Sequence, residues 1–363
     1  MTDIIQTAYI FTNSPGELSR WVSPICNSLA TQFPNCRITI LLTPCPYATG
    51  NEASVAMNLP GVHTVFLPKQ TIHKLFSFKE VDTRGIVICL GGDPLYARLF
   101  STRYSLDSFL YSEQKVGWRF SKVFLREDGD LMSHLALDSP KKTSPSLENS
   151  ERCLFLPSSR PKQFEALVPL YHEALRYIHS KTPGFQVTLL VSPFISKSLL
   201  SQLEKKGLLT HFKVSHNTSS EEFQTHKMIV TIPGTNTSEA MYLNTPILLI
   251  VPTNHPSLFI LHGLLGILTR LPVIGFFLRG LLIYLLEKKA PPLSLPNILS
   301  KTRTVPEYIQ KFSPESLGKL ILKHFNDSEN HAAQQELFSS MCPKDNVSDR
   351  IVSEIANYLK QKT

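Results

Sequence analysis

Short runs of consecutive apolar residues recur along the chain, and segments of helical or turn character separate them. In the first 130 residues the runs lie at 8–11, 38–42, 64–67, 86–90 and 123–125. Because each run is continuous rather than alternating, the pattern is typical of strands covered on both faces. Strands that alternate with helices predict βαβ units and a mostly parallel sheet.

The same alternation starts again after residue 152. Further strand-like runs lie at 153–156, 187–191, 212–214, 228–232 and 247–251. Between the first two, residues 161–181 carry apolar side chains at helical spacing, which predicts a long amphipathic helix. The sequence therefore predicts two consecutive, doubly wound, Rossmann-like α/β halves, which bind ligands at the carboxyl ends of their strands.

A stretch rich in Ser, Pro and charged residues, 138–152, is typical of an interdomain linker. We therefore assign 1–140 to an N-terminal domain, 141–152 to the linker and 153–330 to a C-terminal domain. The remaining residues, 331–363, include an amphipathic helix suited to packing back on the N-terminal half.

The composition says more about where the protein is located in the cell than about what it binds. Thirty-seven Lys and Arg residues against 29 Asp and Glu give a net charge of +8, which suits nucleic acid, anionic lipid or a phosphorylated small molecule. No basic, aromatic-studded strand set or recognition helix favours nucleic acid. The six cysteines form no CxxC pair, which indicates reduced thiols, and the N-terminus lacks the basic flank of a signal peptide. We expect a cytoplasmic protein.

The stretch FTNSPGELSRW follows the first apolar run and opens a helix. Ser14 fits the N-cap, Pro15 the first helical position and Glu17 the third, so the stretch has the form of a capping box. This pattern is equally compatible with a helix start alone and with the wall of a binding site.

Three further motifs stand where predicted strands end. LPSSRP, residues 156–161, offers small hydroxyls and an Arg before a helix, which suits an anion, although a Ser N-cap with a solvent-exposed Arg is the alternative. IPGTNTSEA, residues 232–240, places Glu239 in a first helical turn, where it could bind a ribose or compensate the helix dipole. LGGDP, residues 90–94, presents Asp93 as a general base or as a turn residue bonded to its own backbone.

Taken in order, these motifs resemble those of the lipid-A-disaccharide synthase family, whose members are glycosyltransferases of the GT-B fold. Its Gly-Glu-x-Ser-Gly-Asp turn is similar to residues 12–17, its Gly-x-Asp strand end to 91–93 and its Leu-Pro-Gly-Ser-Arg to 156–160. Its Ser-Gly-Thr-Ala-Thr-x-Glu resembles 233–239, and its Leu-Pro-Asn followed by Val-x-Glu matches 295–297 and 305–307.

The resemblance implies two domains facing a central cleft and a transfer with inversion, without a metal or other cofactor. The donor would be a UDP-linked acylated glucosamine and the acceptor a lipid, an acylated glucosamine phosphate. The residues that the resemblance places at the site are Asp93 as the base, Ser159, Arg160, Gly234, Thr235, Asn236, Glu239 and Asn297 on the donor side, and Asn13, Ser14, Gly16 and Glu17 on the acceptor side.

The chain departs from the family pattern in the N-terminal turn, at residues 301–303 and before the linker. In the turn, Asn13 replaces a Glu and Glu17 replaces an Asp. Lys301-Thr302-Arg303 stands where the family has Gly-Arg-Glu. The segment before the linker lacks the family's Gly-His/Asn-Pro-x-x-Asp pattern. These changes leave open a GT-B glycolipid glycosyltransferase with another acceptor, a UDP-sugar epimerase, or a peripheral membrane protein that binds a UDP-sugar without turnover.

Two stretches suggest contact with a membrane. Residues 256–287 are strongly apolar but interrupted by Arg270, Pro272 and Arg279, which favours short interfacial helices over one membrane span. With Lys288 and Lys289 they form a candidate surface, 256–289, for the cytoplasmic face of the inner membrane, and a buried hairpin is the alternative. The basic and aromatic stretch 67–79 could touch lipid or form a plain loop.

A run of acidic residues, 127–130, resembles a DxD metal motif but is also a common turn. The sequence does not decide the oligomeric state, and a homo-oligomer is compatible with it.

Overall fold

The computed structural model describes residues 4–45, 48–77, 81–82, 84–112, 117, 119–125, 152–216, 220–254, 290–341 and 346–362. The chain forms two compact units. The first combines Met1–Ser139 with Met341–Thr363, and the second is Pro140–Ser340.

The first unit is built on a six-stranded sheet in the order β3-β2-β1-β4-β5-β6, and every paired strand runs parallel to its neighbour. Its strands are β1 (Thr7–Thr12), β2 (Arg37–Leu42), β3 (Val62–Phe66), β4 (Ile86–Cys89), β5 (Asp107–Ser112) and β6 (Lys122–Leu125). β1 and β4 are buried nearly throughout, which is why their sequences are continuous apolar runs.

The helices of the first unit cover the sheet. They are α1 (Pro15–Glu17), α2 (Ser23–Gln32), α3 (Glu52–Met57), α4 (Pro68–Ser77) and α5 (Pro94–Tyr104), with one π-helical turn, Leu18–Val22, joining α1 to α2. Leu75 of α4 and Phe100 of α5 enter one core with Phe11, Val87 and Cys89 of the sheet.

The second unit repeats this plan. Its six-stranded sheet has the order β12-β11-β10-β7-β8-β9, again with parallel pairs throughout. The strands are β7 (Arg152–Leu156), β8 (Gln186–Leu190), β9 (Lys213–Ser215), β10 (Met228–Thr231), β11 (Ile247–Pro252) and β12 (Glu307–Gln310).

Seven helices accompany this second sheet among the described residues. They are α6 (Pro161–Lys181), α7 (Lys197–Lys205), α8 (Ser220–Gln224), α9 (Asn236–Tyr242), α10 (Leu295–Ser300), α11 (Pro314–Phe325) and α12 (Ser328–Met341). The long α6 buries Phe164, Leu167, Tyr171 and Ile178 against the sheet, so its apolar stripe is the one that the sequence predicts.

The final helix, α13 (Val347–Lys362), belongs to the first unit. Asp349 accepts a hydrogen bond of 2.7 Å from Ser28 of α2, and Ile355 is fully buried. Residues 331–340, which the sequence pattern grouped with the returning helices, instead lie in the second unit, because Gln334 of α12 accepts the backbone N–H of Ile247 at 2.8 Å.

Most predicted strands are confirmed within two residues at either end. Two strands were missed, β5 and β12. Four of the cysteines are buried and unbridged, as expected of reduced thiols: Cys26, Cys36, Cys89 and Cys153. The apolar stretch 256–289, residues 141–151 of the linker and the acidic run 127–130 lie outside the described residues. Among the helices that the structure describes, none is long and apolar enough to cross a membrane.

Candidate functional site

Each sheet has one point at which the strand order reverses. In the first unit this switch lies between β1 and β4, which pair from Ala8↔Ile86 to Phe11↔Cys89. In the second it lies between β7 and β10, which pair from Met228↔Cys153 to Thr231↔Leu156. Ligands of open parallel sheets bind beyond the carboxyl ends of the strands at such a point. Four of the predicted motifs follow these four strands.

In the first unit the turn after β1 forms the predicted capping box. The backbone N–H of Glu17 donates to Ser14 Oγ at 3.3 Å, and the backbone N–H of Ser14 donates to Glu17 Oε2 at 3.1 Å. The N–H of Asn13 donates to the same carboxylate oxygen at 3.3 Å. The capping box that the sequence predicts is thus confirmed. Gly16 lies inside this short helix.

The carboxyl group of Glu17 is held between two strand ends. Burial raises the pKa of Glu17 above its ordinary value, and hydrogen bonds from the backbone of Ser14, Asn13 and Gly92 offset part of that rise. The Gly92 contact joins the turn after β1 to the turn after β4. Sequence reasoning placed Glu17 at the site but did not indicate this contact, which joins residues that are far apart in the chain.

Two glycines make the close approach possible. Gly91 has φ +134°, and a Cβ there would lie 2.2 Å from Glu17 Oε2 and 2.3 Å from Glu17 Cδ. Gly92 has φ +71°, and its Cβ would lie 2.5 Å from Thr43 Oγ1, at the end of β2. Both positions therefore require glycine, for backbone conformation and for space.

Asp93 comes directly after these glycines and is exposed. Its Oδ1 accepts the backbone N–H of Leu95 at 2.9 Å, so Asp93 is the N-cap of α5. This is the backbone contact that the turn alternative predicted. The contact fixes one oxygen of an exposed carboxylate at a strand end, an arrangement that a general base can also use.

In the second unit the turns after β7 and β10 lie side by side. Thr231 Oγ1 donates to the carbonyl of Leu156 at 3.2 Å, which ties the two strand ends together. Ser158 Oγ accepts the N–H of Arg160 at 3.0 Å and donates to Gln163 Oε1 at 2.7 Å. Arg160 is the N-cap residue of α6 and, like Ser159, is half-buried.

The turn after β10 leads into α9. Gly234 is exposed, and a Cβ built on it would meet no protein atom within 4 Å, so no protein contact requires glycine there. Thr235 and Asn236 are half-buried at the start of the helix, and Glu239 is in its first turn and only 2% exposed.

A third turn, between residues 293 and 297, packs on this one. Thr237 Oγ1 accepts the N–H of Leu295 at 3.2 Å and donates to the carbonyl of Gly234 at 2.9 Å. The turn at 234–237 and the start of α10 are therefore one hydrogen-bonded assembly.

Asn297 and Glu307 hold this assembly from behind. Asn297 is fully buried, accepts the N–H of Val305 at 3.0 Å, and donates to the Val305 carbonyl and to Glu307 Oε1, both at 2.9 Å. Glu307 Oε1 also accepts the N–H of Ser294 at 2.8 Å and its hydroxyl at 2.6 Å. All polar atoms of the Asn297 amide thus serve the protein, so it positions the turn rather than presenting itself to a nucleotide. Sequence reasoning gave Glu307 no role.

Among the residues that the structure describes, no group of three or more His, Cys, Asp or Glu side chains is arranged to hold a metal ion. The acidic run 127–130 is not among them. At its switch point the first unit offers the exposed carboxylate of Asp93 and the half-buried carboxyl of Glu17, and an exposed carboxylate can accept a proton. The second unit offers the buried carboxyl of Glu239, several hydroxyls and Arg160 at a helix start, and a guanidinium there can bind an anion.

Comparison with known proteins gives the family. The family described as Lipid-A-disaccharide synthetase matches residues 130–356. A lipid-A-disaccharide synthase of Hahella chejuensis is 25% identical over 183 residues, covering 50% of this chain and 40% of that protein. One of Burkholderia pseudomallei is 22% identical over 212 residues, covering 57% and 48%. The match thus spans less than half the length of these relatives.

Solved structures agree on the fold. A UDP-glucosyltransferase from Polygonum tinctorium covers 99% of this chain and 100% of its own, with a TM-score of 0.53 at 10% identity. MnaA of S. aureus, solved with UDP, covers 98% and 96%, with a TM-score of 0.56 at 12% identity. The calicheamicin glycosyltransferase CalG4 covers 98% and 99%, with a TM-score of 0.53 at 11% identity. With two Rossmann-like units of the GT-B fold and a family match over most of its length, the chain belongs to the lipid-A-disaccharide synthetase family.

Proposed function

We propose that this protein is an inverting glycosyltransferase that moves an acylated glucosamine from a UDP donor to an acylated glucosamine phosphate, in the synthesis of lipid A. Family membership supports the reaction class. The observation that carries the proposal is the position of the predicted motifs. In each sheet, the two strands at the switch point are followed by two of these motifs, where ligands of open parallel sheets bind.

In the first unit Asp93 is the proposed base. An inverting displacement needs a carboxylate that takes the proton from the attacking hydroxyl of the acceptor. Asp93 is exposed, and the bond from Leu95 to its Oδ1 fixes its orientation. Glu17 is half-buried and fastens the glycine turn that leads to Asp93. Glu17 is therefore a positioning residue, and Asn13, Ser14 and Gly16 line the acceptor side of this turn.

In the second unit the proposed donor site uses the turns after β7 and β10. As UDP leaves, negative charge develops on its diphosphate, and fixed positive groups stabilise that charge. Arg160 supplies a guanidinium at the start of α6, a helix of 21 residues, whose first backbone N–H groups add a partial positive charge. Ser159, Gly234, Thr235 and Asn236 would surround the diphosphate, and Glu239 would bind the ribose. Asn297 acts through the turn that it holds.

The segment 256–289 lies outside the described residues, and its sequence supports a role at the membrane. Apolar residues interrupted by Arg270 and Arg279 suit a surface that reaches acyl chains while its guanidinium groups meet lipid phosphates. We therefore propose a peripheral protein at the cytoplasmic face of the inner membrane, with substrates presented by the bilayer.

Two substitutions at Asp93 test the proposed base. Asp93→Asn keeps the N-cap, because Asn caps helices as well as Asp, but removes the base. Asp93→Ala removes both. We expect Asp93→Asn to fold like the parent protein and to lower the rate of UDP release by about 10²- to 10⁴-fold. Asp93→Ala should lose the same activity and also about 1 kcal/mol of stability. Full activity in Asp93→Asn would refute the role of Asp93.

A second candidate is a protein of the same fold that binds a UDP-sugar without turnover. Two observations favour it. Asp93 already has a structural task as a helix cap, and Arg303, which replaces an acidic residue of the family pattern, donates to the Ala290 carbonyl at 2.6 Å. This candidate predicts that UDP binds equally to the parent protein and to Asp93→Asn, with no UDP released by either. Altered chemistry at Asn13 instead suits a transferase with a different acceptor.

A further inference from the structure

A groove of about 710 Å³ lies on the first sheet, away from the loops that follow β1 and β4. Its floor is the first part of β1, β2 and β3, where Tyr9, Thr39 and Thr64 form one row across the three strands. A volume of this size is within the range of small-molecule sites, about 300–1,000 Å³.

Helix α4 covers the part of this face that lies next to the groove. Phe11 and Leu41, the next residues of β1 and β2 on this face, are apolar and pack in a core with Leu75 of α4. Thr39 and Thr64 are only half-buried. Strands of a parallel sheet are normally apolar on both faces, so a row of hydroxyls beside a fully apolar row is a departure that the fold does not require.

The charges around the groove are mainly positive. Arg37 of β2, His63 of β3 and Lys74 of α4 line it, and Lys74 Nζ lies 5.4 Å from the centre of the Phe66 ring. Arg37 and His63 are exposed, whereas Lys74 is half-buried. The positive charge of Arg37 is therefore exposed to a ligand that enters from solvent, and Lys74 adds a second cation to the lining.

Asp82 is the one carboxylate among the described residues that line the groove, and its oxygens have partners. Thr7 Oγ1 donates to Oδ2 at 3.0 Å, and the backbone N–H of Arg84 donates to Oδ1 at 3.0 Å. The bond from the Arg84 backbone, with that from Thr7, holds the pKa of Asp82 below its ordinary value. Asp82 N–H also donates to the Tyr9 hydroxyl oxygen at 2.9 Å, which fixes the end of the groove.

We propose that this groove is a second ligand site, which binds a phosphate group carried on a hydroxyl-rich molecule. Arg37 and Lys74 would meet the phosphate, and the hydroxyls of Thr39 and Thr64 would meet the ligand's own hydroxyls. The soluble source of such a group is a sugar phosphate, and the membrane source is a phospholipid head group. The site is separate from the proposed acceptor turn, because the five residue steps from Thr7 to Thr12 span about 16 Å of strand.

Calorimetric titration with glucose 6-phosphate tests the proposal in the full chain. The double variant Arg37→Gln/Lys74→Gln removes both cations from the groove, and Lys69→Gln is the matched control, since Lys69 is exposed on α4 but does not line the groove. We expect the double variant to bind at least about tenfold more weakly for each cation removed, and the control to bind as the parent protein does. UDP should bind all three proteins equally.

Sedimentation with phosphatidylcholine vesicles, with and without phosphatidic acid, distinguishes the membrane source. Binding of glucose 6-phosphate that needs Arg37 and Lys74 identifies a soluble ligand, and binding of phosphatidic acid vesicles alone with the same requirement identifies a head group. Either result supports the site. Equal binding by the double variant and Lys69→Gln in both assays overturns the proposal. So does a loss of UDP binding in the double variant as large as its loss of glucose 6-phosphate binding.

Chemical modification gives a readout that needs no variant. Phenylglyoxal reacts with exposed guanidinium groups. Arg37 and Arg350 are both exposed, and Arg350 does not line the groove. We expect glucose 6-phosphate or phosphatidic acid vesicles to slow modification of Arg37 at least several-fold and to leave modification of Arg350 unchanged, as measured by peptide mass spectrometry. Equal rates at Arg37 with and without each ligand would contradict the proposal.

Discussion

Replacement of Gly91 by alanine tests the link between the two strand-end turns of the first unit. The new Cβ would lie 2.2 Å from Glu17 Oε2, and the backbone would keep φ at +134°. Alanine in such a conformation costs about 2 kcal/mol. To relieve the contact, the Glu17 carboxyl must leave the N–H groups of Asn13 and Ser14, which costs about 2 kcal/mol more.

The expected loss in the free energy of unfolding is therefore about 4 kcal/mol for Gly91→Ala. Gly50→Ala is the matched control, because Gly50 has φ +90° but its Cβ would meet nothing within 4 Å. That variant carries the backbone cost alone, about 2 kcal/mol. In a Glu17→Ala background the clash disappears, so Gly91→Ala should also cost about 2 kcal/mol there.

Urea unfolding followed by tryptophan fluorescence measures these losses in the first unit. Trp21 lies in the first unit, with its ring edge-on to Tyr111 of β5, so its emission reports on that unit. Equal destabilisation by Gly91→Ala and Gly50→Ala would refute the close packing of Gly91 on Glu17. An equal cost of Gly91→Ala with and without the Glu17 side chain would refute it too. Since this turn leads to Asp93, we also expect Gly91→Ala to slow UDP release while Gly50→Ala does not.

Three further predictions concern the second unit and the final helix. Asn297→Ala should destabilise the second unit by about 3 kcal/mol and weaken UDP binding in calorimetry, because the amide is fully buried and holds the turn through three hydrogen bonds. Thr302 is exposed, and Thr302→Ala should change neither stability nor UDP binding. Burial lowers the pKa of His226, so the unfolded chain binds more protons than the folded chain. The stability of the second unit should therefore fall as pH drops below about 6.5, and it should fall less in His226→Gln. A stability that does not change with pH, as measured by circular dichroism, would contradict this. Ile355→Ala should cost the first unit about 3 kcal/mol, because Ile355 is fully buried. The neighbouring Glu354→Ala removes only a half-buried ion pair with Lys122 and should cost less than about 1 kcal/mol; similar losses would argue against the docking of α13.

The elements with strong local signals were predictable. Continuous apolar runs gave β1, β4, β7 and β10, and the Ser-Pro-Gly-Glu spacing gave the capping box at Ser14. Strands β5 and β12 were missed because their residues, DSFLYS and EYIQ, mix polar and apolar side chains, and the whole of β12 is at most half-buried at the sheet edge.

Contacts between distant residues were not predictable from local patterns. The packing of Gly91 against Glu17 joins residues 74 positions apart, and a glycine pair alone does not say what approaches it. For Asn297 the sequence indicated a position but not what the side chain does there. Its motif lies next to the turn at 234–237, but only burial and three hydrogen bonds to Val305 and Glu307 show that its amide is committed to the protein.

The proposed reaction is transfer of an acylated glucosamine from UDP to an acylated sugar phosphate. The direct measurement is UDP release by the purified protein with a panel of UDP-sugars and lipid acceptors. We expect UDP release, with an equal amount of inverted glycoside, when both the UDP-glucosamine donor and the sugar phosphate are acylated, and little loss when divalent ions are removed. Absence of UDP release with every acylated glucosamine donor would contradict the account.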